Sequence, residues 1–136
     1  MTEPVKVLII DDEADFCYFV RKNLIRDGLF DVFIATNGKH GIELAKNEKP
    51  DIILLDLLMP GMSGDEVAAV LKRQAATANI PILFLTALAT DEDVNEKVDG
   101  DMDDGEERKS GKYFILPKPV RTKKMIETIL KILGKP

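Results

Sequence analysis

The chain has 136 residues, is 45% hydrophobic and 32% charged, and carries a net charge of −5. Those figures suit one ordinary globular domain and leave hardly any room for two. The acidic balance argues against a nucleic-acid surface, no apolar run is long enough to cross a bilayer, and MTEPVKVLIIDD lacks the basic and apolar regions of a signal peptide.

Short apolar runs alternate with helical patterns. Val5–Ile10 (VKVLII) reads as a buried strand. Ala14–Asp27 reads as a helix, with Phe16, Phe19, Val20 and Leu24 at helical spacing and Gly28 as its stop. Asp31–Ala35 is a second strand, and Gly38–Lys46 a short helix capped by Asn37. Asp51–Leu55 is a third strand. Ser63-x-x-Glu66 is a capping-box signal for a helix running to about Arg73. Pro81–Leu85 is a fourth strand, Thr90–Asp93 the start of a fourth helix, and Tyr113–Leu116 a fifth strand. Ile126, Ile129, Leu130 and Leu133 form one face of a last helix, closed by Gly134. Five β-α units with continuous apolar strands imply a doubly wound parallel sheet with helices on both faces. No repeat, linker or second domain is evident.

Cys17, the one cysteine, excludes an internal disulfide and fits a reducing cytoplasm; its place in the first helix makes it small core filler. His40, the one histidine, falls on the second helix and is expected to face solvent. Gly61 and Gly64 serve the turn after the third strand, where positive φ is required.

Open parallel sheets bind ligands beyond the carboxyl ends of their strands, near the point where strand order reverses. Just past the predicted strands stand Asp11 and Asp12, Asp56, Thr86, and Lys118 before Pro119. All five fall on one rim. A lone Asp after the apolar run IILL would be expensive to bury unpaired. Three acids on one rim repel one another, so they must protonate or gather a cation. An all-oxygen donor set with room for water suits Mg²⁺. Metal, ammonium and hydroxyl together form a clamp for phosphoryl oxygens, and a carboxylate can itself be the nucleophile. Asp11 and Asp12 also suit the start of the first helix, where acids are favoured.

These segments resemble the receiver domain of two-component response regulators. The resemblance rests on LIIDDE (8–13), ILLDLLMPGMSG (53–64), PILFLTA (81–87) and LPKP (116–119), in order and on the predicted strands, over nearly the whole chain. It implies a flavodoxin-like strand order 2-1-3-4-5. It also implies that Asp56 accepts a phosphoryl group from a phosphohistidine on a sensor histidine kinase or phosphotransfer protein. Asp12, Asp56 and the Leu58 backbone carbonyl would hold Mg²⁺, with Asp11 assisting through water. Lys118 would pair with carboxylate or phosphoryl oxygens, Thr86 and the Ala87 backbone N–H would bond the phosphoryl group, and the Lys118–Pro119 peptide would be cis. The expected protein is a monomer or weak dimer that signals to an unknown downstream protein, with no direct nucleic-acid or membrane role. The chain ends three residues after Leu133, so no output domain is expected within it.

Two features depart from that pattern. The family often places an aromatic three residues before the lysine; here that position is Ile115, with Tyr113 on the same face of the strand and Phe114 on the other. The gap from Thr86 to Lys118 is also about ten residues longer than the resemblance implies, through an acidic insertion at about 91–110. Residues 91–107 hold ten acids against one lysine, Lys97. A solvated loop is the plain expectation, and a docking or exclusion element the sharper one. A calcium loop fits poorly, because Asp104 and Ser110 stand where such a loop needs glycine and glutamate.

A phosphorelay intermediate shares all these residues. An aspartyl-nucleophile phosphatase needs a second acid two residues after the first, where this chain has Leu58. A binding-only pseudo-receiver conflicts with the intact acid set, and neither GxGxxG nor GxxxxGK[ST] occurs. The protein is therefore expected to catalyse only its own aspartyl phosphorylation and dephosphorylation.

Overall fold

The computed structural model describes residues 3–87 and 113–135. The predicted fourth helix, the acidic insertion and the calcium-loop reading lie outside the described residues.

Five strands form one parallel sheet: β1 (Val5–Ile10), β2 (Phe30–Ala35), β3 (Ile52–Asp56), β4 (Ile82–Thr86) and β5 (Tyr113–Pro117). Four helices are described: α1 (Ala14–Arg26), α2 (Gly38–Glu48), α3 (Gly64–Arg73) and α4 (Thr122–Ile132). The strand order is β2-β1-β3-β4-β5, as expected, and every neighbouring pair is parallel.

Alternation along the strands explains the two layers. Val7 and Ile9, with Ile52, Leu54, Leu83 and Leu85, pack under Cys17, Val20 and Leu24 of α1 and Met125 and Ile129 of α4. Leu8 and Ile10, with Ile53, Leu55, Ile82 and Phe84, pack under Ala45 of α2 and Val67, Ala68 and Leu71 of α3. β3 is central, and its five residues are all buried, Asp56 included.

The helix signals act as expected. Asn37 accepts from the His40 N–H at 2.8 Å, and Ser63 accepts from the Glu66 N–H at 3.4 Å. Gly28 takes positive φ where α1 ends. Cys17 is fully buried and His40 exposed.

Some details differ. Phe19 is exposed, because Cys17, Val20 and Leu24 already define the buried face of α1 and position 19 falls on its far side. On α4 the deepest residues are Met125 and Ile129, so the buried face starts one position before Ile126. β3 begins at Ile52 rather than Asp51, whose carboxylate instead accepts the Lys6 N–H at 2.8 Å. Gly61 has φ of 80°, whereas Gly64 is needed for a different reason. A Cβ there would lie 2.3 Å from the Asp56 backbone oxygen and 2.8 Å from the Leu57 Cα. This close approach folds the start of α3 back against the end of β3, where Gly64 N–H donates to the Leu57 carbonyl at 2.9 Å.

Candidate functional site

The rim expected from the sequence forms. β1 ends one residue before Asp11, Asp56 and Thr86 are the last residues of β3 and β4, and Lys118 follows β5 directly. Strand order reverses between β1 and β3, so Asp11 and Asp56 flank the switch point. Carboxylate oxygens of Asp11, Asp12 and Asp56 all lie within 4.8 Å of one another. Asp11 and Asp56 are buried and Asp12 is exposed, which gives the cluster one open side.

The Lys118 ammonium faces all this negative charge. It donates to Asp11 Oδ2 at 2.7 Å and to Glu13 Oε1 at 3.0 Å, and stands 3.8 Å from Asp56 Oδ2. It also sits 4.5 Å from the centre of the Phe16 ring. Its backbone is fixed separately, because the Lys118 N–H donates to the Thr86 carbonyl at 3.0 Å. The Lys118–Pro119 peptide is cis.

The start of α1 differs from expectation. The residue flanking the helix is Glu13, and its side chain makes no capping bond. Asp11 Oδ1 instead accepts the Glu13 backbone N–H at 2.9 Å. The buried Cys17 thiol donates to the Asp11 carbonyl at 3.3 Å. Burial, reinforced by the Asp11 charge, pushes that thiol up to about 12, so it stays protonated and unreactive.

Burial also raises the Asp56 carboxyl to about 6, and repulsion from Asp11 adds to the rise. Lys118 and the Leu58 N–H, which donates to Asp56 Oδ1 at 3.3 Å, pull the other way without cancelling it. Burial works against the Lys118 ammonium, but its bonds to Asp11 and Glu13 outweigh that and hold it above its ordinary value. Among the described residues one ammonium faces the three aspartates and leaves them underneutralised. Clustered oxygen donors with excess negative charge and an open side fit a hard divalent cation such as Mg²⁺.

Thr86 is buried at the end of β4, and Ala87 follows in an exposed turn. The Leu58 side chain is exposed beside the site. Ile115, half-buried on β5, packs against both core layers, while the Tyr113 ring stacks on Phe84 at 5.6 Å with Lys72 Nζ 3.7 Å above it. Sequence reasoning missed Glu13 and Phe16 as partners of Lys118. The signal was present in LIIDDE and in the position of Phe16 one turn into α1, but nothing local ties either to a lysine more than a hundred residues away.

A doubly wound sheet whose switch point gathers acids under a facing lysine places this chain among signal receiver domains. The chain belongs to the response regulator receiver domain family, whose pattern matches residues 7–130. It is 33% identical over 129 residues to Protein PilH of Pseudomonas aeruginosa, covering 95% of this chain and 98% of that protein. It is 40% identical over 82 residues to the alkaline phosphatase synthesis transcriptional regulatory protein PhoP of Bacillus subtilis, covering 60% of this chain and 33% of that protein. The chemotaxis protein CheY4 of Vibrio cholerae superposes with a TM-score of 0.75 at 25% identity, over 95% of this chain and 98% of that one. Among the described residues no helix is long and apolar enough to cross a membrane.

Proposed function

We propose that this receiver takes a phosphoryl group onto Asp56 from the phosphohistidine of a sensor histidine kinase or phosphotransfer protein. One Asp56 carboxylate oxygen attacks phosphorus, the P–N bond breaks, and its electron pair stays on the imidazole nitrogen. The observation that carries this reading is the gathering of Asp11, Asp12 and Asp56 within 4.8 Å, with the Lys118 ammonium against them. Asp12, Asp56 and the Leu58 carbonyl would hold Mg²⁺, with Asp11 acting through water. When bound, the ion offsets the charge of the acids and of the phosphoryl oxygens. Thr86 and the Ala87 N–H would donate to the phosphoryl oxygens, and Lys118 would pair with one of them.

The added charge and acceptor oxygens then bias the loops of the rim and alter the surface offered to a downstream protein. The buried, protonated Cys17 suits a reducing cytoplasm. A phosphorelay role uses the same chemistry with a second transfer. Steady phosphatase turnover is disfavoured, because Leu58 offers no general acid where such enzymes keep one. The test is intact mass after treatment with acetyl phosphate and Mg²⁺. Wild-type protein should gain one phosphoryl group, and Asp56→Asn should gain none. An unmodified wild type, beside a known receiver that is modified, contradicts the proposal.

A further inference from the structure

The Lys118 ammonium is shared unequally, and one of its partners lies outside the acid cluster. Among the described residues it donates to Asp11 at 2.7 Å and to Glu13 at 3.0 Å, while Asp56 stands off at 3.8 Å, beyond hydrogen-bond reach. Glu13, Asp11 and Lys118 close a ring. The Glu13 backbone N–H holds one Asp11 oxygen at 2.9 Å, Lys118 holds the other, and the Glu13 carboxylate returns to Lys118. The Phe16 ring, 4.5 Å away, backs the ammonium from α1. Glu13 occupies the flanking position of α1 yet leaves the helix N–H groups uncapped, so its carboxylate is committed to Lys118 rather than to the helix.

We propose that Glu13 is a positioning residue that draws the Lys118 ammonium away from Asp56 before phosphorylation, and that phosphorylation requires this contact to open. The proposal rests on Asp56 being the phosphoryl acceptor. Of the two bonds, that to Glu13 yields first. Glu13 is 64% exposed, so water replaces the lost contact cheaply, whereas Asp11 is fully buried and its bond costs far more to break. Released from Glu13, the ammonium can turn about Asp11 toward the oxygens on Asp56. The ring also couples the site to α1, because Glu13 sits at the hinge between β1 and that helix.

The charge of Glu13 and its contact can be separated by chain length. Glu13→Gln removes the charge and keeps the length. Glu13→Asp keeps the charge but is one methylene shorter and withdraws the carboxylate from Lys118. Phosphorylation by acetyl phosphate is measured by mass at saturating Mg²⁺ across donor concentrations. Both variants should accelerate it by about two- to fivefold, the range expected for an exposed ion pair, through the rate at saturating donor rather than the donor concentration at half-rate. In a Lys118→Ala background the acceleration should vanish. A readout independent of phosphorylation is the Lys118 ammonium signal in ¹⁵N NMR of magnesium-free protein. It should be slowly exchanging in wild type, and shifted and exchange-broadened in both variants.

If Glu13→Asp matches wild type in rate and in the ammonium signal while Glu13→Gln is faster, only the charge matters and the contact proposal fails. Equal rates and unchanged signals in all three proteins also overturn it. If wild type and variants alike take up no phosphoryl group, the acceptor assignment fails instead, whatever the ammonium signal shows.

Discussion

The two ends of the sheet treat charge in opposite ways. At the end where the strands begin, charges are matched locally and lie near solvent. The Lys6 ammonium reaches the Glu48 carbonyl at 3.0 Å and its carboxylate at 3.9 Å, and the Asp51 carboxylate accepts the Lys6 backbone N–H at 2.8 Å. At the end where the strands finish, three aspartates crowd within 4.8 Å, two of them buried, and one lysine is shared among Asp11, Glu13 and Asp56. A fold seeking stability alone would resemble the first end throughout. The second end keeps unbalanced charge in place, and that imbalance is what a divalent cation and a phosphoryl group can use.

The largest effect should come from disturbing the frame that holds Asp56. Gly64→Ala places a Cβ 2.3 Å from the Asp56 backbone oxygen and 2.8 Å from the Leu57 Cα, and its nearest neighbours are backbone atoms rather than a flexible side chain that could yield. We expect a loss of about 3 kcal/mol in urea unfolding, together with slower phosphorylation, because relief of the clash must move Asp56. Unchanged stability would show that the β3–α3 approach is loose.

The next effect isolates the unbalanced charge. In magnesium-free protein the Asp56 carboxyl moves from 3.8 to about 6, so the folded state binds this proton more tightly than the unfolded state does. Its contribution to stability is therefore fully present below the unfolded value and is lost as pH rises through about 6. Over that window the unfolding free energy of wild type should fall relative to that of Asp56→Asn, by on the order of 3 kcal/mol in all. Asp56→Asn should flatten this part of the profile and be the more stable protein at pH 8 in chelator. A wild-type-minus-variant difference that rises through the window would contradict the electrostatics described here.

The smallest effect belongs to the matched end. Asp51→Ala removes an acceptor for the Lys6 N–H at an exposed edge. It should cost about 1 kcal/mol and leave phosphoryl uptake unchanged. A large change in uptake would mean that the two ends are coupled.

Much of this was legible in the sequence. VKVLII, IILL and PILFL are continuous apolar runs, and they form the buried strands of a parallel sheet because both faces of such a sheet are covered. Asn37 and Ser63 announced their helices through chemistry that acts within one turn. Asp11, Asp12, Asp56 and Lys118 could be placed on one rim because strand direction alone puts them there. Contacts across the fold were not legible. Phe19 shares the helical spacing of Val20 and Leu24, yet Cys17, Val20 and Leu24 define the buried face of α1 and leave it exposed. Gly64 looked like a turn residue, but its reason is the backbone beside it. Nothing in LIIDDE indicates that Glu13 reaches Lys118, because that contact exists only once β1 and β5 have been brought into one sheet.

The central claim is that the three aspartates form one cation site. Its most direct test is a Mg²⁺ titration followed by NMR on unphosphorylated protein. One saturable ion should bind, with shifts concentrated at residues 11–13, 56–58, 86–87 and 118, and Asp12→Asn or Asp56→Asn should weaken binding sharply. Failure to saturate, or shifts scattered over the acidic surface and unchanged in those variants, would contradict it.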